Sequence, residues 1–435
     1  MSQPATEPET DEADDSRRET APSVGSSPMG SQETDSSSGR HGHDPTAEDD
    51  ARESSDETAR SATTDERVLV ITGLAHKNDR HYGPLAAVAG ETTLVCLDPT
   101  TDIDGARHVF VPDVGPRILR VVALLFVALY EGYRNEYDAV VSISLVPYGI
   151  YALVCRAVYG YPAHLGIIGI DLDHHARRWY GPLPRWLFRR FDVVSVPGSD
   201  HAKRLARAGV DPDRIARLTN PIDIETYRPL EAAGKPPVDD RGDDDRPTAQ
   251  PELPDTEYDF VWVGRFSAEK DPRRFVAALA ALERSGYDVR AAMVGEGPLR
   301  SAVARDCRAY GLEDRVDLPG WVDDPLTYYR RSDAFVLTSK RDALPLVMLE
   351  AMATGLAPIV PRVGSIADVV TDGENGIVVP DREPATIAAA MARALESVDE
   401  RQRLGANATD VRDSCSLERA ATDWADILAT FEERS

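Results

Sequence analysis

Lysine is nearly missing from this chain. Only five of its 49 basic residues are lysine, at positions 77, 203, 235, 270 and 340, and 74 acids leave a formal net charge of −25. So acidic a surface excludes a nucleic-acid partner, because phosphate backbones are held by an excess of Lys and Arg. An acid-rich, lysine-poor composition is that of a protein working in concentrated salt; plain acidity for solubility is the alternative. In strong salt the screening length falls to about 3 Å or less, so an anionic substrate needs direct contacts. Cysteine is also scarce. Cys96, Cys155, Cys307 and Cys415 are far apart and form no CxxC pair. That excludes the usual zinc spacing and a disulfide framework, and predicts a reduced, cytoplasmic setting. Signal-peptide character is missing from the N-terminus. The most apolar run, Ile118 to Tyr130, is too short to span a bilayer and contains Arg120; it predicts a buried helix. No aromatic residue precedes Tyr82, and residues 1–65 cannot bury enough apolar surface to offset their ordering entropy. They are predicted to form a disordered acidic tail. A second stretch of this kind, 231–256, predicts an interdomain linker.

What remains has room for two domains within 435 residues. Short apolar runs alternate with helical ones before the linker: RVLVIT at Arg67, TTLVCL at Thr92, AVVSIS at Ala139, HLGIIGI at His164 and DVVSV at Asp192. The alternation restarts with YDFVWV at Tyr258, VRAAMV at Val289, RVDL at Arg315, AFVL at Ala334, APIV at Ala357 and GIVV at Gly376. Continuous apolar strands between helices predict parallel sheets covered on both faces. The expected architecture is α/β, with two Rossmann-like domains over 66–230 and 257–415. A ligand cleft would lie at the carboxyl ends of their strands. A dehydrogenase is excluded, because the first strand leads into Gly73-Leu-Ala-His-Lys-Asn-Asp79 and not into GxGxxG.

Three segments carry candidate chemistry. In Gly264-Arg-Phe-Ser-Ala-Glu-Lys-Asp-Pro272, Asp271 is a plausible N-cap and Pro272 opens a helix. Gly264 would allow close approach of a ligand, and Arg265 and Lys270 form a two-pronged donor and a point charge suited to a leaving diphosphate. A solvated basic loop is the plain alternative. Gly295-Glu296-Gly297-Pro298 closes the next strand and is as readily a structural turn. In the third, Asp342 lies in a loop and Glu350 eight positions on in an otherwise apolar helix, with Ala343, Leu344, Pro345 and Leu346 between them at the helix start. A helix N-terminus favours phosphate or sugar oxygens. A carboxylate facing inward is costly unless it binds something. For Glu350 the candidates are a ribose diol or an arginine.

In their order, GRFSAEKD, GEGP, PGWV and D-x7-E resemble the retaining glycosyltransferases of family 4, which have the GT-B fold of two Rossmann-like domains facing across a cleft. The resemblance runs from about residue 67 to 433. It implies that Arg265 and Lys270 hold a donor diphosphate, that Glu350 binds the ribose, and that Asp342 with the following N–H groups and Glu296 and Gly297 attend the donor. It implies transfer of a hexose-type sugar from a UDP- or GDP-sugar to a glycan or lipid-linked acceptor, without cofactor or metal. It also implies that a last helix, 416–435, returns to the first domain. Asp342 stands where the family usually has Glu, and Ala343 where it has Gly. Ile168-Gly-Ile-Asp171 stands where it often has His-Gly-x-Asp. Gly83, Asp171, His174 and His175 are the candidates for the acceptor and donor-sugar side. The alternatives kept open are a sugar-nucleotide-binding partner that has lost turnover and a GT-B epimerase.

One segment remains. Arg177 to Phe191 has five arginines, two tryptophans and no acid. Arg185, Trp186, Arg189 and Arg190 are candidate membrane contacts at the cytoplasmic leaflet. The plainer alternative is that the arginines satisfy local acids and the aromatics pack under the sheet.

Overall fold

The computed structural model describes residues 64–73, 78–98, 102–113, 115–167, 172, 181–230 and 257–432. The predicted linker, the predicted tail up to residue 63, and Asp171, His174 and His175 lie outside them.

The first sheet has strands β1 Arg67–Thr72, β2 Glu91–Cys96, β3 Ala106–Phe110, β4 Ala139–Ile143, β5 Ala163–Gly166, β6 Val193–Val196 and β7 Ile215–Arg217. They are all parallel, in the order β3-β2-β1-β4-β5-β6-β7. The central strands are the predicted apolar runs, because both of their faces are covered. β3 and β7 did not stand out in the sequence. They are the two edges, where exposed and half-buried positions mix, so the continuous apolar signature is lost. Helices α1 Asn78–Val88, α2 Arg117–Arg134, α3 Ile150–Tyr159, α4 Pro182–Phe188 and α5 Ser199–Arg207 accompany this sheet.

The second sheet contains β8 Tyr258–Val263, β9 Ala291–Val294, β10 Val316–Gly320, β11 Ser332–Val336, β12 Ala357–Pro361 and β13 Ile377–Val379, in the order β10-β9-β8-β11-β12-β13. Its helices are α6 Pro272–Arg284, α7 Arg300–Tyr310, α8 Leu326–Arg330, α9 Leu346–Ala353, α10 Pro384–Glu396, α11 Val398–Ala408 and α12 Val411–Ser414. The chain ends in α13 Leu417–Glu432. In each sheet the strand order reverses once, between β1 and β4 and between β8 and β11. Neighbouring connections diverge there and leave a crevice beyond the carboxyl ends.

α13 does not stay with the second domain. Its Trp424, Ile427 and Leu428 share a core with Val68, Val70, Tyr82 and Leu85 of β1 and α1. The opposite face of the first sheet is covered by α2 to α5 through Leu124, Ala128, Cys155, Phe188 and Leu205. Ser199 ties the halves together, donating from N and Oγ to Asp368 at 2.6 Å each. The two chain crossings are fastened to each other by Thr219 N–H to Asp423 and by Ile222 N–H to the Cys415 carbonyl, at 2.8 Å each.

The apolar run expected to be a buried helix is only half buried. In α2, Leu124, Ala128, Glu131 and Gly132 face the sheet, while Ile118, Leu119, Val122, Phe126, Tyr130 and Tyr133 are exposed. A helix laid on a sheet can bury only one stripe, and continuous apolarity does not say what meets the other. Arg120 is accommodated by Asp98 at 2.8 Å.

Candidate active site

The loops leaving β8 and β11, the strands that flank the reversal in the second sheet, are fastened to each other. Thr338 Oγ1 accepts from Trp262 Nε1 at 3.0 Å and reaches the carbonyls of Lys270 and Asp271 at 3.1 and 3.0 Å. The Lys340 N–H donates to the Glu269 carbonyl at 2.7 Å. This fastening brings Lys270 Nζ to 2.6 Å from Asp342 Oδ2, which also accepts from Ser339 Oγ at 3.0 Å. Arg265 is exposed on the same loop.

Pro272 opens α6, as its sequence suggests, but Asp271 does not cap it. Asp271 has φ 51° and its carboxylate makes no capping hydrogen bond. It meets Arg382 at 3.2 Å, Lys340 at 3.3 Å and Arg274 at 3.5 Å. Three cations hold the carboxylate more strongly than one backbone N–H. The strained left-handed backbone at a non-glycine position therefore sits directly beside Lys270.

The glycines have different reasons. A Cβ on Gly264 would come no closer than 3.3 Å to anything, the Trp262 ring. On Gly295 it would lie 2.0 Å from the Gly264 carbonyl oxygen, and on Gly297 2.6 Å from that of Phe266, both at positive φ. The GEGP turn is therefore glycine because it packs against the β8 loop backbone. Glu296 pairs with Arg300 at 2.9 Å.

Ala343 and Leu344 are buried. The Leu344 carbonyl accepts from Asn220 Nδ2 of the crossover segment at 3.3 Å. Pro345 precedes α9, whose first residue is Leu346 and which starts without a side-chain cap, so its leading N–H groups point out of the helix end. One turn on, Glu350 is 3% exposed. Its Oε1 accepts from both terminal nitrogens of Arg80 at 3.3 Å, across the cleft from α1, and its Oε2 from Tyr329 at 3.4 Å. Of the two partners weighed for Glu350, the structure shows the arginine. Burial first, and Glu350 second, raise the Tyr329 phenol far above the usual tyrosine range, which keeps it a proton donor.

On the first-domain side, Gly83 lies in α1 with open space where a Cβ would be. A hollow at the carboxyl ends of the strands is lined by His81, Gly166, Ser195, Pro197, Thr219 and Asn220. Arg80, His81, Asn220, Ser339 and Tyr329 were missed in the sequence. The signal for the first two was position, since they follow β1 at the point where strand order reverses. Arg185 and Trp186 lie on α4, and Arg189 and Arg190 just before β6, at the edge away from the cleft. Arg190 stacks on Trp186 at 4.4 Å, and Arg189 donates to the Ala208 carbonyl at 2.7 and 3.0 Å. Among the described residues, no cluster of three or more His, Cys, Asp or Glu could hold a metal, and no helix is long and apolar enough to cross a membrane.

Two doubly wound sheets facing across such a crevice define the GT-B class. HepE of Anabaena, solved with UDP-glucose, matches 84% of this chain and 100% of its own with a TM-score of 0.67 at 16% identity. Residues 243–411 match the family described as glycosyl transferases group 1. Among curated relatives, the alpha-D-kanosaminyltransferase of Streptomyces kanamyceticus is 27% identical over 56% of this chain and 66% of its own length. The D-inositol 3-phosphate glycosyltransferase of Thermomonospora curvata is 29% identical over 50% and 52%. The chain thus spans about half to two thirds of these two relatives. A UDP-Gal:alpha-D-GlcNAc-diphosphoundecaprenol alpha-1,3-galactosyltransferase of Escherichia coli is 23% identical over 71% of this chain and 81% of its own.

Proposed function

We infer that the chain transfers a hexose-type sugar from a UDP- or GDP-sugar to a glycan or lipid-linked acceptor, with retention at the anomeric carbon. The observation that carries this reading is the Lys270–Asp342 pair, 2.6 Å long, held where the two strand-exit loops are fastened together. Arg265 on the same loop and the uncapped start of α9 add positive potential beside it. A diphosphate gains charge as it leaves, and a preorganised cation placed there stabilises that charge in the transition state. Asp342 holds the ammonium in position and, with the N–H groups that follow it, attends the sugar. Glu350 takes the ribose hydroxyls once Arg80 gives way.

Transfer breaks the bond from C1 to the phosphate oxygen and forms one from C1 to the acceptor oxygen. The acceptor proton passes to the departing diphosphate, so no protein base is assigned. The roles assigned to Arg265 and Lys270 replace those of a divalent ion. Similarity supports the donor and acceptor classes. HepE binds UDP-glucose, and the E. coli relative is named for a UDP-galactose donor and a diphosphoundecaprenol acceptor.

The test is incubation of purified protein with a panel of nucleotide sugars in concentrated salt, with product anomers read by NMR and excess chelator present. Turnover with the donor's anomeric configuration is expected. An inverted product, or a strict Mg²⁺ or Mn²⁺ requirement, overturns the mechanism. Binding of a nucleotide sugar without any turnover leaves a binding partner in a glycan assembly.

A further inference from the structure

Fifteen large hydrophobic side chains are exposed among the described residues, and nine of them lie on α2, α3 and α4. These helices cover the same face of the first sheet, because Leu124, Ala128, Cys155 and Phe188 on their inner sides share one core. Their outward residues therefore form one outer layer. On α2 the stripe is Ile118, Leu119, Val122, Phe126, Tyr130 and Tyr133, from 47% to 79% exposed. At about 100° per residue these six fall within roughly a third of the helix circumference, along about 24 Å of its length. Val158 of α3 and Leu183 and Trp186 of α4, 49% to 59% exposed, extend the layer.

The charge of this layer is as unusual as its apolarity. In a chain of net charge −25, α2, α3 and α4 contain a single acid. That acid is Glu131, buried and held by Arg107 at 2.6 Å. Arg117, Arg134 and Arg185 are exposed on the same helices, and Arg189 and Arg190 directly follow α4. Arg134 lies over the ring of Tyr130 and Arg190 over that of Trp186.

We propose that the outer face of α2, α3 and α4 is a docking surface for a phospholipid bilayer, with α2 lying in the interfacial plane. An in-plane helix buries an apolar stripe among the acyl chains while arginines at its margins reach the phosphates and tyrosines sit at headgroup depth. Every exposed group on these helices is of a kind that such a surface accepts. A second copy of the chain fits less well. A two-fold contact would set the patch against itself and bring arginine to arginine with no acid between them. Apolar contact also outlasts screening, so docking persists in salt that removes long-range attraction. The proposal stands on the surface alone and does not depend on the transferase reading.

Flotation tests it without any activity measurement. Wild-type protein is expected to rise with vesicles of equal parts phosphatidylglycerol and phosphatidylcholine, in dilute and in concentrated salt. A variant carrying Val122→Ser, Phe126→Ser and Tyr130→Ser is expected to lose about tenfold in floated fraction while melting like wild type, since all three side chains are exposed. Wild-type protein that stays at the bottom, or a variant that floats equally well, overturns the proposal. Sedimentation equilibrium without vesicles gives the other occupant. A dimer that the triple variant dissociates would make this face a self-association surface, and overturns the bilayer as its partner.

Discussion

The two halves of this molecule use the same fold differently. In the second domain, the candidate site is built from the exits of adjacent strands. Its parts hold one another through Thr338 against the carbonyls of Lys270 and Asp271, Lys340 against Glu269, and Lys270 against Asp342. In the first domain the contribution to the cleft is sparse, reaching across as Arg80 and Asn220, while the outer helix layer is apolar and exposed. A site of this kind needs a few groups at fixed distances, so it depends on short, closely coupled segments. The surface of the first domain depends on which sides of three helices are left uncovered.

The strongest way to break this contrast is Lys270→Ala. If the donor half supplies the charge stabilisation, turnover should fall about a hundred- to a thousandfold with the fold intact, as measured by steady-state transfer and circular dichroism. Near-normal turnover would place the chemistry elsewhere and end the assignment.

Arg80→Ala tests whether the first domain enters the site through its one buried cross-domain ion pair among the described residues. The side chains of Arg80 and Glu350 are 13% and 4% exposed. Removing one partner of a buried pair leaves a charge stranded, at about 3 kcal/mol. Denaturant unfolding without ligand should show that loss. Saturating UDP should recover part of it, because ribose hydroxyls then take the vacated carboxylate. A loss unaffected by UDP would make the pair a plain interdomain clasp.

The smallest effect concerns the core of the first domain. His164 is fully buried, with Nε2 2.8 Å from Ser195 Oγ and its ring against Trp424. Burial lowers its pKa from 6.5 to about 3. Below about pH 6.5 the unfolded chain takes up a proton that the folded one refuses. Stability should therefore fall toward acid by about 1.4 kcal/mol per pH unit, until the folded pKa is reached. His164→Gln should remove that part of the slope, and equal slopes for both proteins would sink the assignment. A steep histidine-dependent slope would place an acid-sensitive element in the first domain, under the helix that returns from the second.

Much of the architecture was readable from local pattern. Buried parallel strands must be apolar on both faces, so the central strands of both sheets stood out, while β3 and β7, at the edges, did not. The order of GRFSAEKD, GEGP and D-x7-E marked the strand-exit loops of the second domain, because tight turns, helix starts and charge partners act over a few residues. What lay beyond that reach belonged to the tertiary structure. The sequence left Glu350 between a ribose and an arginine, and only the tertiary fold, which sets α1 across the cleft from α9, brought Arg80 to it. Asp271 looked like a helix cap until Lys340 and Arg382, distant in sequence, were placed beside it. Ile118 to Tyr130 was visibly apolar, but a one-dimensional pattern does not say which side of a helix finds a sheet and which finds nothing. A residue's own chemistry and its near neighbours are written in the chain. Which distant groups compete for it, and which faces go uncovered, are decided only when the whole chain packs.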